Sequence, residues 1–260
     1  MYQIKNYVKP ATLEEAFELN KKKQNRIIAG NMWLRLGSSV YDTLIDISEL
    51  GLNKIEETSD KFIIGAMISL RELELDPALA AAFDNTIETA VKSIVGTQFR
   101  NTATIGGSIW GRFGFSDILT LLLAFDTEVC LYKGGTIPLR DFISLPYDRD
   151  ILTHIIIHKN ITAAAYQTLR NQATDFPVIA CALAKGADGC RLTIGARPGK
   201  AVLYTVPEFS SEADFSVFLE KTVSDTIFGT NIRASAEYRQ AMAAVLLKRL
   251  WKQINEKEAH

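Results

Sequence analysis

Arg100-Asn101-Thr102-Ala103-Thr104-Ile105-Gly106-Gly107-Ser108 is the stretch on which the reading of this sequence turns. It is polar and glycine-rich and has neither a helical nor a strand period, so it predicts a loop shaped by a ligand. Just before it, Ile87, Ala90, Val91, Ile94 and Val95 recur at the spacing of an amphipathic helix, behind an Asn85–Glu88 capping pair. A second glycine loop, Ala29-Gly30-Asn31-Met32-Trp33-Leu34, directly follows the short apolar strand Ile27-Ile28-Ala29. Glycine at such points lets backbone N–H groups approach an anion with no Cβ in the way, which is what a pyrophosphate needs. Two loops of this kind can hold one dinucleotide from both sides, although a Gly-Gly pair taken alone is simply a tight turn. Neither loop has the G-x-G-x-x-G order opening a long helix, and the sequence has no G-x-x-x-x-G-K-[ST], so a Rossmann domain and a P-loop are unsupported.

Working outward, Thr12 and Glu15 form a capping box ahead of Leu13, Ala16 and Phe17, which predicts a helix running through Lys21-Lys22-Lys23. Leu44 to Ile47 and Phe62 to Gly65 read as strands. Asp117 opens a helix from Ile118 to Phe125, and a strand from Glu128 to Tyr132 leads to a turn at Gly134-Gly135. Ile151 to His158 is another strand, and the register changes near Lys159-Asn160, where we place a domain boundary. Beyond it come a buried segment from Phe176 to Leu183, a strand pair around Arg197-Pro198-Gly199, and two helices. The last helix carries an apolar stripe of Ala243, Leu246, Leu247, Leu250 and Ile254.

Composition narrows the function classes. The 260 residues are 47% hydrophobic, enough for two compact units with their own cores. Lys+Arg at 29 against Asp+Glu at 30 leaves a net charge of -1, which favours neither nucleic acid nor an anionic membrane. The longest uncharged apolar run, Phe176 to Ala184, is far short of the roughly 20 residues a spanning helix needs. With no secretory signal visible at the N-terminus, a cytoplasmic protein is expected. Cys130, Cys181 and Cys190 form no C-x-x-C pair, so the chain is not expected to hold an iron–sulfur cluster or zinc by itself.

Taken together, Arg26 to Asn31, Leu44 to Ile47, Ile64-Gly65-Ala66, and Arg100 to Gly107 through Ser116-Asp117 resemble the FAD-binding part of molybdenum hydroxylases, the xanthine dehydrogenase and carbon monoxide dehydrogenase flavoproteins. Tyr166 to Arg170, Asp175-Phe176-Pro177 and Arg233-Ala234-Ser235-Ala236-Glu237-Tyr238-Arg239 resemble that family's C-terminal domain. The resemblance implies an α+β fold. An FAD-binding domain of the PCMH type over residues 1–159, with subdomains of about 1–55 and 56–159, pairs a small mixed sheet with a larger mixed sheet and helices. An α+β domain over residues 160–260 then packs an antiparallel sheet on helices.

The cofactor it implies is FAD, held by Ile27, Ile28, Ala29, Gly30, Asn31, Met32, Trp33 and Leu34 on one side and by Thr104, Ile105, Gly106, Gly107 and Ser108 on the other. Asp117 matches an acidic residue that contacts the cofactor, and Leu152 an apolar residue near the flavin. Read without the resemblance, Asp117 is the N-cap of its helix. The sequence departs from the family pattern at Asn31 and Ser108, where bacterial relatives often have glycine and asparagine. It departs again at Gln167, where some have a lysine, and at Trp110, Phe113 and Phe115, aromatics that shield a flavin, face a partner or close over the local core.

The activity implied is that of an FAD-dependent oxidoreductase subunit that relays electrons. A molybdopterin-binding large subunit and a [2Fe–2S] small subunit are the implied partners, with NAD as the default acceptor. The only histidines are His154, His158 and His260, and no nucleophile–base pair is visible, so no catalytic side chain is assigned. A self-contained FAD oxidoreductase and a scaffold that has lost FAD are the alternatives.

Overall fold

The computed structural model describes residues 2–209 and 212–258, so His260 lies outside the described residues. The chain divides into two compact units and passes between them more than once. The first comprises Met1–Glu72, Thr97–Gly111 and Thr127–Ile157; the second comprises Leu73–Gly96, Arg112–Asp126 and His158–His260.

In the first unit, Val40–Asp46 lies between Gln3–Val8 and Arg26–Ile28 in a three-stranded parallel sheet. Helix Leu13–Asn20 starts as its capping box predicts. The Thr12 hydroxyl accepts from the Glu15 N–H at 3.1 Å, and the Glu15 carboxylate accepts from the Ala11 N–H at 2.8 Å. Its apolar stripe packs on Ile45, Ile47, Leu52 and Ile151. The helix does not run through the lysine cluster. It stops at Asn20, whose side chain donates to the Arg149 carbonyl, while Asn25 reaches back to the Leu19 carbonyl. A five-stranded sheet, in the order Ile55–Glu57, Lys61–Gly65, Leu152–His158, Thr127–Leu131 and Gly135–Pro138, completes the unit. Cys130 is partly buried in it, opposite His154. Burial lowers the His154 pKa against a small opposing pull from Glu56. Among the described residues no group of three His, Cys, Asp or Glu side chains is placed to hold a metal ion.

In the second unit, Val202–Val206, Gly189–Gly195, Ile179–Gly186 and Ile161–Leu169 form an antiparallel sheet in that order. Helices Glu212–Asp225 and Ala236–Glu258 cover one face, where Cys181, Leu183, Leu192, Ile194, Phe215, Leu219, Leu247 and Leu250 form the core. Helix Asp117–Ala124 packs on the central strands Ile179–Gly186 and Gly189–Gly195, and all eight of its residues are buried. A strand packed by helices has no solvent side, which is why Ile179 to Ala184 is an unbroken apolar run and does not alternate. Arg239, only 1% exposed, donates to the carbonyls of Val178 and Ala196 and to the Asn231 side chain. The last residue of the Arg233 to Arg239 segment thus acts as an internal pin.

Candidate functional site

The strand Arg26–Ile28 delivers the first glycine loop. Ile28 is buried, and Ile27, Ala29, Gly30, Asn31, Met32, Trp33 and Leu34 are half-buried. At Gly30 the backbone lies directly against the stretch that opened the sequence reading: a Cβ there would sit 1.9 Å from the Thr102 carbonyl oxygen and 3.0 Å from the Ala103 Cα. The two stretches therefore meet. Trp33 reinforces the contact with an edge-on ring contact to Phe99, centroids 6.0 Å apart. Asn31 has a left-handed backbone, φ 55°. Among the described residues the N–H groups of Gly30, Asn31 and Met32 meet no acceptor. Successive free N–H groups at a left-handed turn form a concave anion seat.

The second stretch is not the ligand-shaped loop that its lack of period predicts. Thr104 caps a short helix, Ile105–Trp110, its hydroxyl accepting from the Gly107 N–H at 3.1 Å. The Ile105 N–H donates to the Ile68 carbonyl and the Gly106 N–H to the Ala66 carbonyl, each at 2.9 Å. The Ser108 N–H and hydroxyl both donate to the Thr104 carbonyl. These donors are committed to the protein. Gly106 is glycine because a Cβ would lie 2.6 Å from the Ala66 Cβ. A six-residue helix containing two glycines is too short for a periodic signal, and its acceptors lie far away in sequence, so nothing local revealed it. Leu152, buried, begins the strand Leu152–His158. The next residue, Thr153, accepts from the Ala66 N–H at 2.8 Å, which links that strand through Ala66 to Gly106. The first loop, the Thr104 to Ser108 turn and Leu152 thus all belong to the first unit.

Asp117 lies in the second unit. Ser116, not Asp117, is the N-cap of its helix, accepting from the Leu119 N–H at 3.2 Å. The Asp117 carboxylate, 3% exposed, accepts from the Arg170 guanidinium at 2.5 Å and the Tyr166 hydroxyl at 2.6 Å. Burial pushes its pKa above the ordinary carboxylate value, against the pull of Arg170 and these hydrogen bonds. Burial, together with the Asp117 charge, raises Tyr166 well above the usual tyrosine value. Replacing Arg170 by Met leaves a buried carboxylate without its counter-ion, and an unfolding free-energy loss of roughly 3–5 kcal/mol is expected in urea denaturation. Adding Asp117→Leu to that variant should recover most of the loss, because the cost lies in the uncompensated charge.

The other segments of the family resemblance gather nearby in the second unit. The Arg233 guanidinium bonds Asp175 at 3.0 Å and lies 4.8 Å from the centroid of the Phe176 ring, which touches Phe115 at 4.5 Å between centroids. Phe115 stacks on Phe113, and within the first unit Trp110 packs on Phe142, so all three aromatics close over local neighbours. Gln167 faces Gln253, 3.5 Å away.

Uncommitted donors of the kind at Gly30–Met32 can hold an anionic group such as a diphosphate. Residues 2–160 match the family model described as the FAD binding domain in molybdopterin dehydrogenase. The uncharacterized protein YgfM of Escherichia coli K12 is 29% identical over 255 residues, 95% of each chain. Xanthine dehydrogenase of Dictyostelium discoideum is 26% identical over 208 residues, 66% of this chain and 15% of that protein. Among solved structures, a chain of carbon monoxide dehydrogenase from Hydrogenophaga pseudoflava superposes with a TM-score of 0.87 at 22% identity, covering 99% of both chains. Quinoline 2-oxidoreductase from Pseudomonas putida 86 gives 0.83 at 18% identity, covering 98% of this chain and 97% of that one. With a family model spanning more than half of its residues, the chain belongs to the FAD-binding domain family of molybdopterin dehydrogenases.

Proposed function

We propose that this chain is the electron-relay subunit of a xanthine dehydrogenase-like molybdenum hydroxylase. In this role it receives electrons from [2Fe–2S] clusters on a small partner subunit, while a molybdopterin-binding large subunit performs the hydroxylation and NAD or another acceptor takes the electrons away. When bound, FAD supplies the ability to take up single electrons and release a pair as hydride. The observation that carries the reading is the trio of uncommitted N–H groups at Gly30, Asn31 and Met32 beside Thr102 and Ala103. These groups donate to the diphosphate, and the packed turn holds them in place before the cofactor arrives.

The proposed cofactor set remains Ile27 to Leu34, Thr104 to Ser108, Asp117 and Leu152. Within it, Thr104, Ile105 and Gly106 act by seating the turn, while the exposed Gly107 and half-buried Ser108 present surface on the second side. Asp117 stands in this set as the acidic residue of the family pattern, its Oδ1 already accepting from Arg170 and Tyr166. The family match over residues 2–160 supports a cofactor-binding part over residues 1–159, followed by a separate C-terminal part over 160–260.

Separate partners are supported by the spacing of the cysteines: Cys130 stands in the first unit and Cys181 and Cys190 in the second, and among the described residues no three His, Cys, Asp or Glu side chains are placed to hold a metal ion. Among the described residues no helix is long and apolar enough to cross a membrane, and a cytoplasmic location belongs to the same proposal. The test is to express the chain alone and together with a molybdopterin-binding and a [2Fe–2S] polypeptide from the same source. The expected result is one FAD per chain, bleached by a purine or aldehyde substrate only when both partners are present. Bleaching of the isolated chain by substrate would establish a self-contained enzyme, and a chain that takes up no FAD would be a scaffold.

A further inference from the structure

We infer that Tyr2 is a positioning residue for the cofactor loop, fixing Asn31 so that the N–H groups of residues 30–32 converge before FAD binds. The inference rests on the proposed role of that loop. Asn31 is held at φ 55°, where side chains other than glycine are strained and asparagine is among the better tolerated. Among the described residues its carboxamide has a single partner, the Tyr2 hydroxyl, which accepts from Asn31 Nδ2 at 2.6 Å. The other end, Oδ1, is buried and meets no donor among the described residues. One hydrogen bond therefore orients the side chain of the residue at the centre of the anion seat.

Tyr2 is itself well anchored. Its ring meets Tyr41 edge-on with centroids 5.9 Å apart, and the Arg26 guanidinium lies 5.7 Å from the Tyr41 ring centroid. The following residues enter the parallel sheet, Gln3 opposite Val40 and Ile4 opposite Tyr41, and the Gln3 N–H donates to the Ser39 carbonyl at 3.0 Å. Arg26 begins the strand that leads into the loop, so the path from Arg26 through Tyr41 and Tyr2 to Asn31 closes on itself across the sheet. Glycine at position 31 would adopt this backbone unaided. An asparagine there makes the loop depend on a tyrosine 29 residues away.

The test is a double-mutant cycle of Tyr2→Phe and Asn31→Gly, read by the dissociation constant for FAD from flavin fluorescence quenching. Tyr2→Phe leaves the half-buried Asn31 carboxamide with no partner at either end, and FAD should bind about tenfold more weakly, of the order expected when a polar group loses its partner. In the Asn31→Gly background the same Tyr2→Phe change should leave the affinity unaltered. Equal weakening in both backgrounds, or none with asparagine present, would overturn the inference, because a merely structural tyrosine does not depend on what stands at position 31.

A second readout needs no cofactor. In the FAD-free chain, amide hydrogen exchange at residues 30–34 should speed up in Tyr2→Phe with Asn31 and remain unchanged with glycine there. Unchanged exchange with Asn31 present refutes the latch. If the native chain takes up no FAD but this exchange pattern holds, the latch stands and the cofactor reading of the loop is what fails.

Discussion

Gly30→Ala is expected to yield a chain that comes off purification nearly free of flavin and unfolds at clearly lower denaturant. The added Cβ would sit 1.9 Å from the Thr102 carbonyl oxygen and 2.8 Å from its carbon. Both are backbone atoms, so no rotamer change relieves the clash and the two stretches must part. Overpacking of this kind costs about 1–3 kcal/mol in stability. The larger effect falls on the cofactor, because parting the stretches misaligns the free N–H groups of residues 30–32, and a loss of about 100-fold in FAD affinity corresponds to only two such hydrogen bonds to a charged group. Gly96→Ala is the control. A Cβ there meets nothing within 4 Å and the position lies outside the proposed cofactor set, so near-native loading is expected. The ratio of flavin to protein absorbance decides between them, and native loading of Gly30→Ala would remove the first loop as the diphosphate seat.

A chain cut after Lys159 is expected to be non-native even though the family match spans little more than that segment. The reason is helix Asp117–Ala124. All eight of its residues are buried, and the helix packs on strands Ile179–Gly186 and Gly189–Gly195, which the cut removes. Its apolar side chains that face the removed strands would lose their cover at roughly 1.5–3 kcal/mol each, so a few of them amount to much of the stability of a domain. Asp117 would also lose Arg170 and Tyr166, and the Thr120 carbonyl would lose the Thr193 hydroxyl that donates to it at 2.8 Å. Near-ultraviolet dichroism, dye binding and gel filtration should report an expanded or aggregated species. A monomeric fragment that unfolds cooperatively would show that the helix finds other cover.

These expectations also mark where sequence reading works and where it stops. The Thr12–Glu15 box was legible because both of its bonds are made within a few residues, and the stripe behind it matches the buried face. The Asn85–Glu88 pair looks the same on paper, yet Asn85 takes a left-handed backbone, φ 55°, and makes no capping bond. Its helix ends at Val91, and Val95, expected on the same stripe, is also left-handed at φ 48°. The glycines of the site were found by resemblance, but their role differs from the one spacing suggests. Gly30 and Gly106 are places where one backbone rests on another, and the N–H groups of Ile105 to Ser108 are committed within the protein. The excursions of Leu73–Gly96 and Arg112–Asp126 into the second unit rest on contacts with residues more than fifty positions later, such as Thr86 with Ala164 and Thr120 with Thr193. No local period encodes such pairings.

The placement of the thiols gives the molecule a reporter of its own. Cys130 is partly accessible in the first unit, whereas Cys181 and Cys190 are sealed in the core of the second, where burial pushes the Cys181 thiol far from its reactive form. Alkylation followed by mass spectrometry therefore time-stamps each unit separately. Modification confined to Cys130 marks an intact second unit, and uptake at the other two dates its opening.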